Sequence, residues 1–379
     1  MQPFAGLKVL DFTSLLPGPL ATLYLADWGA EVIRVESPDR EDLSRSMPPF
    51  AKGVSTTHAF LNRSKQSLAL DLKDPEQLKQ IKQNISDYDI LIEQFRPGVM
   101  QKFGLDYQSL KALHPGLIYC SLTGYGQTGP MATRAGHDIN YAALSGLAVM
   151  TGSRKEGPTL HGAPVCDMAG TYHALFGILT ALYHRQKTGE GQAIDISITD
   201  ASLMLSSLWM QMNLAAQLSP SWEQTPLNGG TFYNYYRTRD QRYLSVGGLE
   251  PKFFMGFLEA INSLHLSQLN LQTLEGQREL KQGIQAALEQ KTLAEWLSIF
   301  AQLDVCVEPV LNFKEIAEHP HFKARELGIE VPCDDGSTQT QLANPIRFSS
   351  LRPIYRHIGV AKGRDNNAIL KAKTETKGV

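Results

Sequence analysis

The chain has 379 residues, of which 42% are hydrophobic and 20% charged, so it can bury an extensive core and is not a disordered protein. Its formal net charge of −2 provides no long-range attraction to nucleic acid or to an anionic membrane. No signal peptide is visible, and no apolar run reaches the roughly 18 residues of a membrane span. The cysteines lack the paired spacing of a zinc site or of a disulfide framework. We therefore expect a reduced, cytoplasmic globular protein without bound metal and without nucleic-acid or membrane partners.

The first third of the chain alternates short apolar runs with helical patterns. The predicted strands are Leu7–Phe12, Ala30–Val35, Ser67–Leu72, Tyr88–Ile92 and Leu117–Leu122. The predicted helices are Leu20–Trp28, Pro75–Asn84 and one near Leu110. Strands separated by helices need crossover connections, which predicts an α/β fold with a mostly parallel, doubly wound, Rossmann-like sheet.

The rest of the chain predicts a second, smaller domain. A long helix over 169–187, a strand over 193–198 and a buried helix over 201–218 complete the large domain, 1–218. Ser, Pro, Gly and Asn are abundant after this helix, which places a linker at 219–228. A hairpin over 235–248 and an amphipathic helical stretch over 275–300 then predict a small α+β domain, 229–325.

Several common nucleotide and hydrolase motifs are missing from the sequence. The first strand is followed by Pro17-Gly18-Pro19 instead of Gly-x-Gly-x-x-Gly, and these prolines lack the amides that would face a pyrophosphate. The sequence also has no phosphate-binding Gly-x-x-x-x-Gly-Lys-Ser/Thr loop and no Gly-x-Ser-x-Gly elbow. Nicotinamide, ATP and serine-hydrolase functions are therefore disfavoured.

Two segments carry residues suited to catalysis in the large domain. A Gly-rich loop, 124–130, precedes the sequence Gly136-His137-Asp138-Ile139-Asn140-Tyr141, which can line a site at the carboxyl end of a strand. The alternative is a plain helix start with Asp138 as its cap. Asp167 lies at the front of the long helix, beside the small residues Ala169 and Gly170, where it is either a helix cap or a base or nucleophile.

A third segment, in the small domain, contains Glu250. This carboxylate follows the second strand of the predicted hairpin, in Leu249-Glu250-Pro251-Lys252. It is either a solvated acid at a helix start or part of an active site.

Together, these and other segments resemble the family III CoA-transferases of the CaiB/BaiF type, and within them the α-methylacyl-CoA racemase branch. The likeness covers nearly the whole chain, and its pieces occur in the order and spacing of the family. The segments that carry it include Gly6–Asp11, Leu25–Ala30, Asn62–Lys73, Phe95–Val99, Gly124–Pro130, Gly136–Tyr141, Thr188–Gln192 and Tyr235–Thr238.

The resemblance implies an interlocked homodimer with a large Rossmann-like domain and a smaller one. The last residues, 326–379, would return to the large domain. CoA would lie on the large domain, with its thioester near the small domain of the other subunit, and Asp167 would be the central catalytic group. The residue His137 and the segment around Glu250 favour the racemase branch.

The resemblance also implies which residues bind the CoA part of the substrate; no other cofactor is expected. The expected contacts are Arg34, Ala69, Leu70, Asp71, Leu72, Arg96, Gly124, Tyr125, Gly126, Gly136, Asp138, Ile139, Asn140 and Tyr141. Where the racemases have an arginine that touches the CoA phosphate, this chain has Ser37, and Arg34 or Lys65 are the candidates to replace it.

These residues suggest racemisation of a 2-methylacyl-CoA through an enolate. His137 and Asp167 would be bases on opposite faces of the α-carbon, Glu250 would orient the imidazole, and the amides of Asp167 and Met168 would stabilise the enolate. The alternative enzyme is a CoA-transferase, in which Asp167 becomes an aspartyl-CoA thioester. A non-catalytic CoA-binding protein is a third possibility.

Overall fold

The computed structural model describes residues 1–371, which form a mixed α/β protein. The strands, in chain order, are β1 Lys8–Phe12, β2 Glu31–Glu36, β3 Phe50–Ala51, β4 Val54–Ser55, β5 Gln66–Ala69, β6 Ile90–Glu93, β7 Ile118–Thr123, β8 Gly152–Ser153, β9 Gly157–Pro158, β10 Ala193–Ser197, β11 Asn234–Arg237, β12 Tyr243–Val246, β13 Val307–Pro309, β14 Gly328–Pro332 and β15 Thr338–Leu342. The α-helices are α1 Pro17–Asp27, α2 Thr56–Leu61, α3 Pro75–Gln83, α4 Val99–Phe103, α5 Tyr107–Lys111, α6 Asp138–Leu144, α7 Leu147–Met150, α8 Val165–Thr188, α9 Ile198–Leu205, α10 Ser207–Ala216, α11 Pro251–Ala260, α12 Leu274–Leu288, α13 Leu293–Phe300, α14 Phe313–Glu318, α15 Pro320–Ala324 and α16 Asn366–Lys371.

The chain forms two compact units whose limits differ from the predicted domains. The first unit comprises Met1–Ser145, His161–Leu205 and the described residues 321–371, and the second comprises Gly146–Leu160 and Ser206–Pro320. The predicted linker, 219–228, falls inside the second unit because its polar residues form an ordered turn. In that turn the Gly230 amide donates to the Thr225 carbonyl at 3.0 Å. Residues 372–379 of the predicted return segment lie outside the described residues.

A six-stranded parallel sheet is the centre of the first unit, as the sequence predicts. Its strand order is β10-β7-β6-β1-β2-β5, and every neighbouring pair is parallel. The inner strands are apolar on both faces, with Leu10, Ile90 and Cys120 fully buried. From β1 the chain adds β2 and β5 on one side and then β6, β7 and β10 on the other. The order therefore reverses between β1 and β6, and the carboxyl ends of these strands flank a crevice.

Buried polar contacts hold the C-terminal segment against the sheet's helices. The Arg63 guanidinium donates to both carboxylate oxygens of Asp27, at 2.9 and 2.7 Å, and to the Leu342 carbonyl at 2.6 Å. The Ser64 amide donates to the His357 carbonyl at 2.8 Å. Since Arg63 is 1% exposed, the loss of either partner would leave a buried charge uncompensated.

Helix α8 positions the predicted catalytic carboxylate. It begins at Val165, four residues earlier than predicted, so Asp167 lies within its first turn. The helix packs against α1, α9 and the strands β7 and β10, as a core helix of an α/β sheet does. Its length and composition alone would also suit a membrane span, and 39% of its most apolar window is buried.

The second unit has its own apolar core. The antiparallel sheet β11-β12-β13 packs with α11, α12 and α13, and the core includes Tyr236, Leu244, Phe257 and Trp296. The predicted helical stretch 275–300 is two helices, because Thr292 and Glu295 form a capping box that starts α13. The predicted helix 201–218 is likewise two helices, α9 and α10, with a break at Ser206.

Candidate active site

Asp138 caps the helix on which Asp167 lies. Its Oδ1 atom accepts the amides of Cys166 at 2.8 Å and of Asp167 at 3.0 Å. Asp138 is the first residue of α6, yet its carboxylate satisfies the N-terminus of α8. Asp167 is therefore not the cap, and among the described residues no donor is hydrogen-bonded to its carboxylate. The Asp167 side chain is left available for chemistry.

The amides expected to stabilise an enolate are already engaged, so this expectation is wrong for the structure described. Asp138 accepts the Asp167 amide, and the Met168 amide donates to the Pro164 carbonyl at 3.1 Å. The reason is electrostatic: the positive end of α8 attracts a carboxylate, and Asp138 lies near enough to supply one.

Asp167 titrates close to neutrality. The pKa of its carboxyl is raised from 3.8 to about 6, mainly by burial and also by the negative charge of Asp138, while His137 opposes the increase. A carboxylate with this pKa is ionised at pH 7 but accepts a proton at little cost. It suits a general base that must later return the proton.

His137 is the exposed residue immediately before α6. Its backbone is extended, and its amide donates to Oδ1 of Asn140 at 3.0 Å. The imidazole is close enough to Asp167 for its charge to stabilise that carboxylate. The structure thus brings together three of the predicted site residues, His137, Asp138 and Asp167.

The predicted glycine and tyrosine contacts form a packed layer behind these residues. The Tyr141 hydroxyl donates to the Gly136 carbonyl at 2.7 Å, and its ring meets Tyr125 edge to face, with centroids 5.4 Å apart. A Cβ atom at Gly124 would lie 2.5 Å from the Tyr141 hydroxyl, and one at Gly136 would lie 2.6 Å from the Tyr125 hydroxyl. Because these two glycines lack a Cβ atom, the rings of Tyr141 and Tyr125 can pack directly against the backbone. Of the neighbouring positions, Ile139 is 56% exposed.

The loop 124–130 is tied to strand β10. Both carboxylate oxygens of Asp195 accept the Gln127 amide at 3.0 Å. Gly126 has a φ of +80°, a backbone conformation that side chains other than glycine rarely adopt. The Thr199 hydroxyl donates to the Gly124 carbonyl at 2.8 Å. This loop is therefore a rigid part of the first unit.

A cavity of about 500 Å³ opens at the carboxyl ends of β1, β2 and β6, where the strand order reverses. Its polar lining includes Ser14, Ser37, Arg40, Gln94 and Arg96. Arg40 and Arg96 are exposed, and neither guanidinium has an ion pair or hydrogen bond among the described residues. Glu41 also lines the cavity and is exposed, so two free positive charges face one free negative charge at the switch point of an open α/β sheet. The net positive charge suits an anionic ligand.

The expected phosphate contacts from Arg34 and Lys65 stay predictions: Arg34 lines the cavity, but both side chains are buried in other interactions. Arg34 is 2% exposed and pairs with Asp42 and Glu36. Lys65 is 1% exposed, and its Nζ donates to the Pro19 carbonyl at 2.8 Å. Arg40 was not among the predicted contacts, although a basic residue soon after Ser37 was a signal for it.

The predicted contacts Ala69, Leu70, Asp71 and Leu72 lie at the end of the edge strand β5 and do not line the cavity. The Ala69 amide donates to Oδ1 of Asn366 at 2.8 Å, and Leu70 is 2% exposed. Leu72 packs against the core of the first unit. The structure thus gives structural roles to the backbone of Ala69 and to the side chains of both leucines.

Glu250 is an exposed residue of the second unit. It precedes α11, whose first residue is Pro251, and its side chain makes no capping hydrogen bond. His137 and Asp167 belong to the first unit. The role expected for Glu250 therefore stays a prediction.

Comparison with known proteins identifies the family. The family described as CoA-transferase family III matches residues 4–358. The chain belongs to this family. The predicted resemblance is confirmed.

Family III relatives with different activities are similar to this chain. Human alpha-methylacyl-CoA racemase is 36% identical over 323 residues, covering 84% of this chain and 81% of the relative. Human succinyl-CoA:glutarate CoA-transferase is 32% identical over 337 residues, covering 87% and 77%. A CAIB/BAIF family protein from Brucella suis has a crystal structure with a TM-score of 0.86, 28% identity, and coverage of 98% and 99%.

Proposed function

We propose that this family III protein is an acyl-CoA racemase that transfers the α-proton of 2-methylacyl-CoA thioesters. The observation that carries the proposal is the proximity of His137 to Asp167, whose pKa is about 6. Inversion at carbon without rotation of the substrate needs two groups that exchange protons near neutral pH. Imidazole is the side chain that ordinarily does so, and burial beside Asp138 gives Asp167 the same ability.

In the proposed reaction, one base takes the α-proton and the C–H electron pair moves into the enolate of the thioester. The second base then donates a proton to the opposite face of the same carbon. For one epimer Asp167 is the acceptor and His137 the donor, and for the other epimer the roles reverse. Glu250 would orient the imidazole by accepting its second N–H.

The substrate's CoA would bind in the cavity at the sheet's switch point. Arg40 and Arg96 would pair with its phosphates. They would replace the phosphate-binding arginine that the racemases have at the position of Ser37. The Oε1 atom of Gln94 is buried without a hydrogen-bond partner and could accept an N–H of the ligand. The reaction as proposed uses no metal and no other cofactor.

The exposed face of α8 supports the proposed homodimer. Tyr172, Phe176, Leu179 and Tyr183 recur at helical spacing and are 45%, 73%, 41% and 61% exposed. An apolar stripe of this kind is unfavourable in water. Because the opposite face of the helix packs on α1 and the sheet, a second copy of the chain is the partner that fits better than a lipid bilayer.

CoA transfer between carboxylic acids is the second candidate, and the free carboxylate of Asp167 favours it. Asp167 would attack the thioester carbonyl, expel CoA thiolate to form a mixed anhydride, and then become the aspartyl-CoA thioester while a carboxylate leaves. A second carboxylate would finally accept the CoA. The similarity to succinyl-CoA:glutarate CoA-transferase also supports this candidate.

Incubation in D₂O with one epimer of a 2-methylacyl-CoA, without an acceptor acid, distinguishes the two candidates. A racemase incorporates deuterium at the α-carbon and yields both epimers, and it survives hydroxylamine because no acyl–enzyme bond forms. A transferase shows little exchange without an acceptor, and hydroxylamine traps its activated Asp167. Acceptor-dependent transfer without α-deuterium would refute the racemase proposal.

Substitutions then test the residue roles. His137→Ala should lower racemisation by about 10²- to 10⁴-fold, because the two-base route loses one of its bases. His265→Ala is the matched control, since His265 is an exposed histidine of the second unit. Asp167→Ala should abolish either activity while the protein stays folded, because Asp138 rather than Asp167 caps α8.

A further inference from the structure

Glu93 is a buried carboxylate beside the cavity to which the proposed mechanism gives no role. It is the last residue of β6 and is 3% exposed. Its Oε2 atom accepts the Phe95 amide at 2.7 Å, and Ser121 on β7 is close enough to lower its pKa. No Lys or Arg in the described chain forms an ion pair with it. Because this carboxyl group is buried and has no cation beside it, its ionised form is energetically unfavourable.

The segment that Glu93 holds is one wall of the cavity. Gln94, Phe95 and Arg96 follow it directly and all line that space. Gln94 Nε2 crosses the point of reversal and donates to the Ser14 carbonyl at 2.9 Å. Two hydrogen bonds therefore hold the backbone just before Arg96: the one from the Phe95 amide to Glu93 and the one from the Gln94 side chain to Ser14.

The surroundings of Glu93 favour its neutral form. The pKa of Glu93 is raised from 4.5 to about 7, mainly by burial and also by the charge of Asp195, while Ser121 and the Phe95 amide oppose the increase. Tyr119 and Cys120 of β7 also lie close enough for the Glu93 charge to raise their pKa values. A polyanion bound to Arg96 would disfavour the carboxylate further.

We propose that Glu93 is a positioning residue that holds the Gln94–Arg96 wall in its binding geometry, and that it takes up a proton when an anionic CoA ligand binds. The inference rests on the proposed placement of CoA in this cavity. Glu93 touches no reacting atom and acts through the backbone amide of Phe95. The proton comes from solvent, and the protonated carboxyl keeps an oxygen that accepts this amide.

Calorimetric titration of the whole protein with CoA tests the proposal at pH 6 and pH 8, in buffers of different ionisation enthalpy. Wild type should take up protons on binding and should bind about tenfold more weakly at pH 8 than at pH 6, beyond any change due to CoA itself. Glu93→Gln keeps the acceptor for the Phe95 amide but cannot titrate. It should lose the proton uptake and bind at pH 8 about tenfold more tightly than wild type.

Glu93→Leu removes the acceptor and should weaken CoA binding about tenfold at both pH values, with kcat changed less than KM. Ile92→Val is the matched control, because it removes one methyl group from the same strand and leaves the wall intact. Unchanged proton uptake in Glu93→Gln, or wild-type binding in Glu93→Leu, would overturn the role of Glu93 alone. No CoA binding by the wild type would instead overturn the proposed function, and this inference with it.

Discussion

Replacement of Asp138 by asparagine should move the acidic limb of the pH–rate profile. The asparagine Oδ1 can still accept the amides of Cys166 and Asp167, so the cap of α8 is retained. What is lost is the negative charge that raises the pKa of Asp167. The substitution therefore separates the electrostatic effect of Asp138 from its structural one.

The size of the shift follows from Coulomb's law. Two unit charges interact by roughly 2.8 kcal/mol at an effective dielectric constant of about 20 if their separation is taken as about 6 Å, the upper end of the range for neighbouring charges. Partial exposure to solvent reduces this to about 1.4 kcal/mol, which is one pKa unit. We expect the pKa of Asp167 to fall from about 6 to about 5 in Asp138→Asn, since burial still raises it.

The proton-accepting role of Asp167 determines whether exchange rises or falls with pH. This residue must be ionised to take the α-proton, so wild-type exchange in that direction should fall below about pH 6, the pKa of Asp167. The raised pKa also means that folding is destabilised as the pH rises from about 4 to about 6. Asp138→Asn should remove part of this destabilisation.

Initial rates of α-deuterium incorporation from each epimer, measured between about pH 4.5 and 8.5, provide the assay. Asp138→Ala is the control: it should show a similar pKa shift but lose about 1 kcal/mol of stability with the cap. An acidic limb that stays in place in a folded Asp138→Asn variant would refute the assignment of that limb to Asp167 under the influence of Asp138.

Three further results are expected. Arg40→Ala should raise KM for acyl-CoA about tenfold with little change in kcat, because a free guanidinium is lost from the cavity; steady-state kinetics would contradict this if kcat alone fell. Gly124→Ala should destabilise the protein by about 1–3 kcal/mol, since its Cβ would lie 2.5 Å from the Tyr141 hydroxyl; an unchanged thermal midpoint would argue against this packing. Phe176→Asp should convert the proposed dimer to monomer in analytical ultracentrifugation, because Phe176 is 73% exposed on α8, and an unaffected dimer would place the interface elsewhere.

The sequence by itself predicted the family and the parallel α/β sheet, because both depend on local patterns. Apolar runs such as Leu7–Phe12 determine strands, and Gly189 stops the long helix wherever the rest of the chain lies. Asp167 and His137 were also identified in this way, since each lies in a short motif of neighbouring residues.

Only the tertiary structure decided which charged groups are free to act. Arg34 and Arg40 are close in sequence, but Asp42 and Glu36 surround the first, while the second is left exposed on the cavity. The cap of α8 comes from Asp138, and so the amides near Asp167 are engaged. Such outcomes depend on partners that are brought together by folding. The availability of a charge is set by its neighbours in space, and local sequence patterns describe only its neighbours along the chain.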